Sequence, residues 1–135
     1  MTPSEGVIHE LNDAYRAWDL ARLRTVLADD VVYHIPGRSR FGGDYEGRDT
    51  VLALWEEQRS YMSNQPFRVQ FADILENDQY LVAITAGEAD AEGRHVGTRG
   101  ANIYRIVDGQ IAECWPLYAD IYAFDEFWGP PENAS

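Results

Sequence analysis

Positive charge is scarce in this sequence. Against 23 Asp and Glu stand 11 Lys and Arg, a formal net charge of −12 over 135 residues. Nucleic-acid binding requires a basic footprint, and an anionic lipid surface repels an acidic chain, so neither partner is expected. The acidity serves solubility. Cysteine is nearly absent: Cys114 stands alone. It can form no intrachain disulfide, which fits a reducing cytoplasm. With no Cys companion and no clustered His, no metal site is expected. No apolar run is long enough to cross a bilayer, and "MTPSEGVIHELND" is too polar for a signal peptide. P-loop, nucleophile-elbow and zincin motifs are missing too, and no cofactor is expected.

What is present is apolar and aromatic. Hydrophobic residues make up 45% and aromatics 13%, with four Trp and eight Tyr. That suits a packed core and also an apolar ligand pocket. The length suits one domain over 1–135, with a core from about residue 7 to about 128 and a frayed tail over 129–135.

Periodicity sets the order of elements. Val7, Leu11, Ala14, Tyr15 and Trp18 recur at helical spacing. Asp19 can cap a second helix carrying Leu20, Leu23, Val26 and Leu27. Val31–Ile35 reads as a strand stopped by Pro36, and the glycines of "GRSRFGGDYEGR" read as a loop. Asp49 or Thr50 can cap a third helix with Val51, Leu54, Trp55 and Met62 on its inner side, ended by Asn64–Pro66. Strands follow from Phe67, over Tyr80–Glu88, and over His95–Val107. The Asp108-Gly109 turn leads into Gln110–Tyr118, and Asp120 can cap a short closing helix. The class is α+β: a curved antiparallel sheet, bent at Gly87, Gly93, Gly97 and Gly100, with three N-terminal helices closing it into a cone around a pocket.

Three features together resemble a known superfamily: "LNDAYRAWDLARLRTVLADDVVYHIPG", "RGANIYRIVDGQIAECW" and the order of elements. They are similar to the nuclear transport factor 2-like proteins, and most of all to the SnoaL-like polyketide cyclases, alongside ketosteroid isomerase. The resemblance implies the cone fold, a small-molecule pocket and homodimerisation through the outer sheet face. It is specific for fold and weak for activity. Matched on "ADD…P", the base of ketosteroid isomerase falls at Ile35, its helix-one Tyr near Leu11, and its second Asp near Asn102 or Ile103. None of these carries the same proton chemistry.

Two residues are candidate catalytic groups. His34, at a strand end, suits proton transfer near neutral pH and is expected at the pocket rim, partly covered by the loop holding Arg38, Arg40 and Arg48. Strand alternation sets it opposite Tyr33 and Ile35, so either set can face inward. Asp120 could orient it or act as base, or simply cap a helix. A two-residue turn pairs Arg105 with Ala112, Ile103 with Cys114, Ala101 with Pro116 and Arg99 with Tyr118. The resemblance favours that face as the pocket wall, with Arg99 and Tyr118 as its polar points. The opposite face carries Asn102, Tyr104 and Thr98 beside Glu113 and Trp115. Candidate substrate-binding residues are Tyr15, Trp18, Arg99, Asn102, Trp115 and Tyr118.

The expectation is therefore a cofactor-independent acid-base enzyme acting on a small apolar, oxygenated metabolite, by isomerisation, cyclisation or dehydration. The alternatives are a non-catalytic binding protein of the same fold and an epoxide-hydrolase-like enzyme. Under the first reading, His34→Ala abolishes turnover.

Overall fold

The computed structural model describes residues 1–62 and 67–131. Helix α1 (Pro3–Ala17) begins where the Thr2 hydroxyl accepts a hydrogen bond from the Glu5 amide at 3.1 Å and Pro3 presets the first turn. Helix α2 (Leu20–Val26) has the expected cap, Asp19, whose Oδ1 accepts from the Arg22 amide at 3.2 Å. Helix α3 (Arg48–Tyr61) starts before the caps expected at Asp49 or Thr50, because Gly47 adopts φ 96° and turns the chain directly into the helix. Its stop, expected over Asn64–Pro66, lies outside the described residues. Helix α4 (Ile121–Trp128) closes the chain, with Asp120 as its cap.

The strands are β1 (Leu27–Ile35), β2 (Gly43–Glu46), β3 (Arg68–Glu76), β4 (Leu81–Ala91), β5 (Arg94–Gly97), β6 (Gly100–Val107) and β7 (Gln110–Tyr118). They form one sheet in the order β2-β1-β7-β6-β4-β3, with β5 paired to β4. Among the described strands, only the β1–β7 pair runs parallel. The structure corrects several expectations, and Leu27, read as helical, opens β1 four residues before Val31. The Gly-rich loop contains β2, which pairs with β1. The strand expected over His95–Val107 is interrupted at Thr98-Arg99, giving β5 and β6.

The last hairpin carries the correction that matters for function. Asp108-Gly109 makes the expected turn, and Val107 faces Gln110. A bulge at Ala112 then slips the register, so that Ile106 faces Ile111 while Arg105 faces Glu113. Beyond it Tyr104 pairs with Cys114, Asn102 with Pro116 and Gly100 with Tyr118. One residue of slip exchanges the faces of β6 relative to β7.

The sheet is curved and unclosed, and the helices cover its concave side. A Cβ at Gly87 would overlap the Arg68 carbonyl oxygen, and one at Gly100 the Leu117 carbonyl oxygen. Those two glycines allow the close approach of neighbouring strands; Gly97 faces open space and Gly93 lies in the β4–β5 turn. Ile8, Leu23, Leu27, Val31, Val51 and Ile111 fill the space between helices and sheet, each fully buried. The inward-facing Tyr33, Ala83, Tyr104 and Cys114 are buried, while Ile84 and Leu117 on the other side are exposed.

Candidate functional site

The core is not filled throughout. A cavity of about 130 Å³, open to solvent, lies between α1, α3 and the concave face of the sheet. Cavities of about 150 Å³ admit a single aromatic ring. Helix α1 supplies Leu11, Asn12 and Tyr15, and α3 supplies Trp55 and Gln58. Alternation along β1 points Tyr33 and Ile35 inward. The slipped hairpin brings Asn102 and Tyr104 of β6 against Cys114, Pro116 and Tyr118 of β7, and Thr98 joins them from the β5–β6 connection.

Among the described residues, no side chain in this lining is a Lys, Arg, His, Asp or Glu. The sequence holds no lysine at all, so imine chemistry on a lysine amine is closed to it. The titratable groups that do line the cavity are phenols and a thiol, all made harder to ionise. Burial pushes the Tyr15 phenol up to about 12. It also pushes Tyr33, Tyr104, Tyr118 and the Cys114 thiol well above their ordinary values. At neutral pH the cavity therefore offers hydrogen-bond donors and acceptors but no base.

Several of those donors are already engaged. Asn102 Nδ2 donates to the Tyr104 hydroxyl at 3.1 Å, and Asn12 Nδ2 donates to the Val69 carbonyl at 3.3 Å. The Tyr15 hydroxyl and the Thr98 hydroxyl, both buried, have no hydrogen-bond partner among the described residues. Tyr15 is held edge-on against Trp55, with ring centroids 5.5 Å apart, and Trp55 in turn meets Tyr33 edge-on at 5.2 Å.

Of the residues singled out from sequence, Tyr15, Asn102 and Tyr118 line the cavity. The other five stand elsewhere. His34 is on the opposite face of β1, because Tyr33 and Ile35 take the inward positions. Its Nδ1 lies 2.7 Å from Asp44 Oδ1 and its Nε2 2.6 Å from Glu113 Oε2. Its ring stacks on Trp115 at 5.2 Å, so Trp115 is also on the outer face. Arg99 is exposed in the break between β5 and β6. Trp18 ends α1, and the Arg59 guanidinium sits 4.5 Å over its ring. Asp120 is exposed, and its Oδ1 accepts from the Ala123 amide at 3.0 Å.

The loop reaches His34 through Asp44, while its three arginines are engaged elsewhere. The Arg38 amide donates to Asp125 Oδ1 at 2.9 Å, Arg40 lies 4.9 Å over Tyr61, and Arg48 pairs with Asp29 at 2.8 Å. The residues missed from sequence are Asn12, Tyr33, Trp55, Gln58 and Thr98 as site members, and Tyr104 as wall. Tyr33 shares its strand parity with Ile35, which was the available signal; the bulge that turns Tyr104 inward leaves no mark in "IAEC".

A family model described as a SnoaL-like domain matches residues 8–114. The chain belongs to the SnoaL-like family. An uncharacterized protein of Mycobacterium tuberculosis, Rv0034, is 28% identical over 116 residues, spanning 85% of this chain and 88% of its own. Among solved structures, the SnoaL-like chain is similar to Bal32a from a soil-derived mobile gene cassette (TM-score 0.87, 22% identity, 94% and 97% of the two chains). It is similar to an NTF2-like protein of unknown function from Burkholderia pseudomallei (TM-score 0.83, 19% identity, 95% and 98%). IdmH, a putative polyketide cyclase from Streptomyces antibioticus, also shares the fold (TM-score 0.72, 21% identity, 92% and 96%). Of the positions matched to the isomerase set, Leu11 and Ile35 line the cavity, and of the two alternatives for the third, Asn102 lines it and Ile103 does not. No described helix is long and apolar enough to cross a membrane.

Proposed function

We propose that this SnoaL-like protein binds a small, apolar, oxygen-bearing molecule in the cavity, with buried hydroxyls and amides fixing its orientation. The observation that carries this reading is a hollow core lined by apolar and hydrogen-bonding groups without a single ordinary acid or base. Apolar walls with a few placed polar groups are the general form of a small-molecule site. Binding in the cytoplasm is the natural setting, since the lone Cys114 thiol is buried and unpaired. The test is native mass spectrometry of the purified protein, followed by extraction. A bound organic molecule lost on denaturation supports the reading; failure of any small oxygenated aromatic or carbonyl compound to bind would end it.

Catalysis is the second reading, favoured by the fold shared with IdmH, a putative polyketide cyclase. In this cavity the protein's contribution would be confinement and hydrogen-bond polarisation of a carbonyl by phenols, rather than proton abstraction by a carboxylate or imidazole.

The outer sheet face supports a homodimer. Ile84 and Leu117 are exposed there, and so is Tyr80, whose ring meets Trp115 at 6.3 Å. A second copy laid on this face would cover apolar surface that the monomer leaves in water. Light scattering should report a dimer that Leu117→Glu dissociates; a monomeric parent protein would overturn this.

A further inference from the structure

Two buried hydroxyls of the cavity have no hydrogen-bond partner of good geometry among the described residues. Tyr15 presents one from α1 and Thr98 the other from the β5–β6 connection, on the helical and sheet walls of the same hollow. Native proteins rarely leave buried polar atoms unpaired, and each such atom calls for an explanation. The Tyr15 ring and the Thr98 backbone are both placed by other interactions. The Tyr15 ring is wedged by Trp55 on one side and meets Trp18 at 6.2 Å. The Thr98 amide donates to the Gly87 carbonyl at 2.9 Å, and the Thr98 carbonyl accepts from the Thr85 hydroxyl at 3.4 Å.

Resting on the cavity reading above, we propose that the ligand is an uncharged, single-ring-sized molecule carrying two oxygens, one for the Tyr15 hydroxyl and one for the Thr98 hydroxyl. Its lack of charge follows from the lining. An anion would meet no Arg, Lys or His there, and an ammonium no Asp or Glu, so either would be desolvated without a counter-charge. The nearest guanidinium, Arg59, lies 5.4 Å from the Tyr15 ring centroid, over the ring face and outside the lining. From there its charge acts on the Tyr15 phenol against the effect of burial and makes the hydroxyl a better donor. The acidic exterior also disfavours anions during approach. A hydroxyaryl ketone or hydroxybenzaldehyde has the required chemistry.

The test uses three matched compounds: 4-hydroxyacetophenone, 4-hydroxybenzoate and ethylbenzene, titrated into the full chain by ligand-observed NMR at a pH where only the benzoate is charged. The neutral ketone should bind at least about tenfold more tightly than either of the others. Tyr15→Phe and Thr98→Val should each weaken the ketone about tenfold and leave ethylbenzene unchanged. Equal affinity for the benzoate, or unchanged ketone affinity in both variants, overturns the proposal while leaving the cavity reading intact. Failure of all three to bind overturns both. Unaltered ethylbenzene binding shows that a variant is still folded.

Discussion

The His34 imidazole and the Glu113 carboxylate meet at 2.6 Å across β1 and β7, on the side of the sheet away from the cavity. Asp44 of β2 takes the other ring nitrogen at 2.7 Å, and Arg105 of β6 donates to Glu113 at 3.2 Å. The four side chains form a charge ladder across four adjacent strands. Two carboxylates can accept from both nitrogens only when the ring is protonated.

This ladder makes stability depend on pH in a definite direction. Burial alone lowers the His34 pKa, but the hydrogen bonds to Glu113 and Asp44 outweigh it and raise the net value above 6.5. Its contribution is complete below the ordinary pKa and disappears as pH rises through the elevated one. Burial raises Glu113, yet His34 and Arg105 hold it below its ordinary 4.5, so its contribution disappears only as pH falls through the depressed value. His34→Gln should therefore destabilise the protein by about 1–2 kcal/mol near pH 6, after allowance for partial exposure, and by clearly less near pH 9. Urea unfolding at the two pH values measures this; an equal loss at both would show that the imidazole is not charged in the fold. Ligand affinity should not change.

Tyr15→Phe removes a buried hydroxyl that has no hydrogen-bond partner among the described residues. The ligand-free protein should be as stable as the parent, or more stable by about 1 kcal/mol, because a desolvated donor is lost without breaking a bond. A fall in Tm of the free protein would mean that the hydroxyl is already satisfied.

Cys114 is 1% exposed, and burial raises its thiol pKa far above the ordinary range. Thiolate is the reactive form. A thiol reagent such as iodoacetamide should leave the native protein unmodified and label it fully in denaturant. Rapid native labelling would require the cavity to open widely.

Gly100→Ala should cost about 2–4 kcal/mol, since a Cβ there overlaps the Leu117 carbonyl and forces β6 and β7 apart. Chemical denaturation reads the loss. Gly97→Ala, facing open space, is the control and should lie within about 0.5 kcal/mol of the parent.

Much of this architecture was legible because it rests on local rules. The helical stripe over Leu11 and Ala14, the Asp19 and Asp120 caps and the Asp108-Gly109 turn all appear as read from sequence. The site was less legible, for two reasons. Alternation says that His34 and Ile35 face opposite ways but not which faces inward; only the helices laid over Tyr33 decide that. The bulge at Ala112 is a tertiary feature of a strongly curved strand pair, and it put Asn102 and Tyr104 where Ala101 and Ile103 were expected. A catalytic histidine and an Arg99 clamp were inferred from residue type, whereas the cavity is built from phenols, amides and hydroxyls that look like ordinary core and strand residues in sequence.

The decisive measurement maps a ligand onto the methyl groups of the protein. With isoleucine, leucine and valine methyls labelled, 4-hydroxyacetophenone should shift Ile8, Leu11, Ile35 and Val69, which line the cavity, and leave the outer-face Ile84 and Leu117 unmoved. Shifts at Ile84 and Leu117 with the cavity methyls silent would contradict a binding site inside the cone.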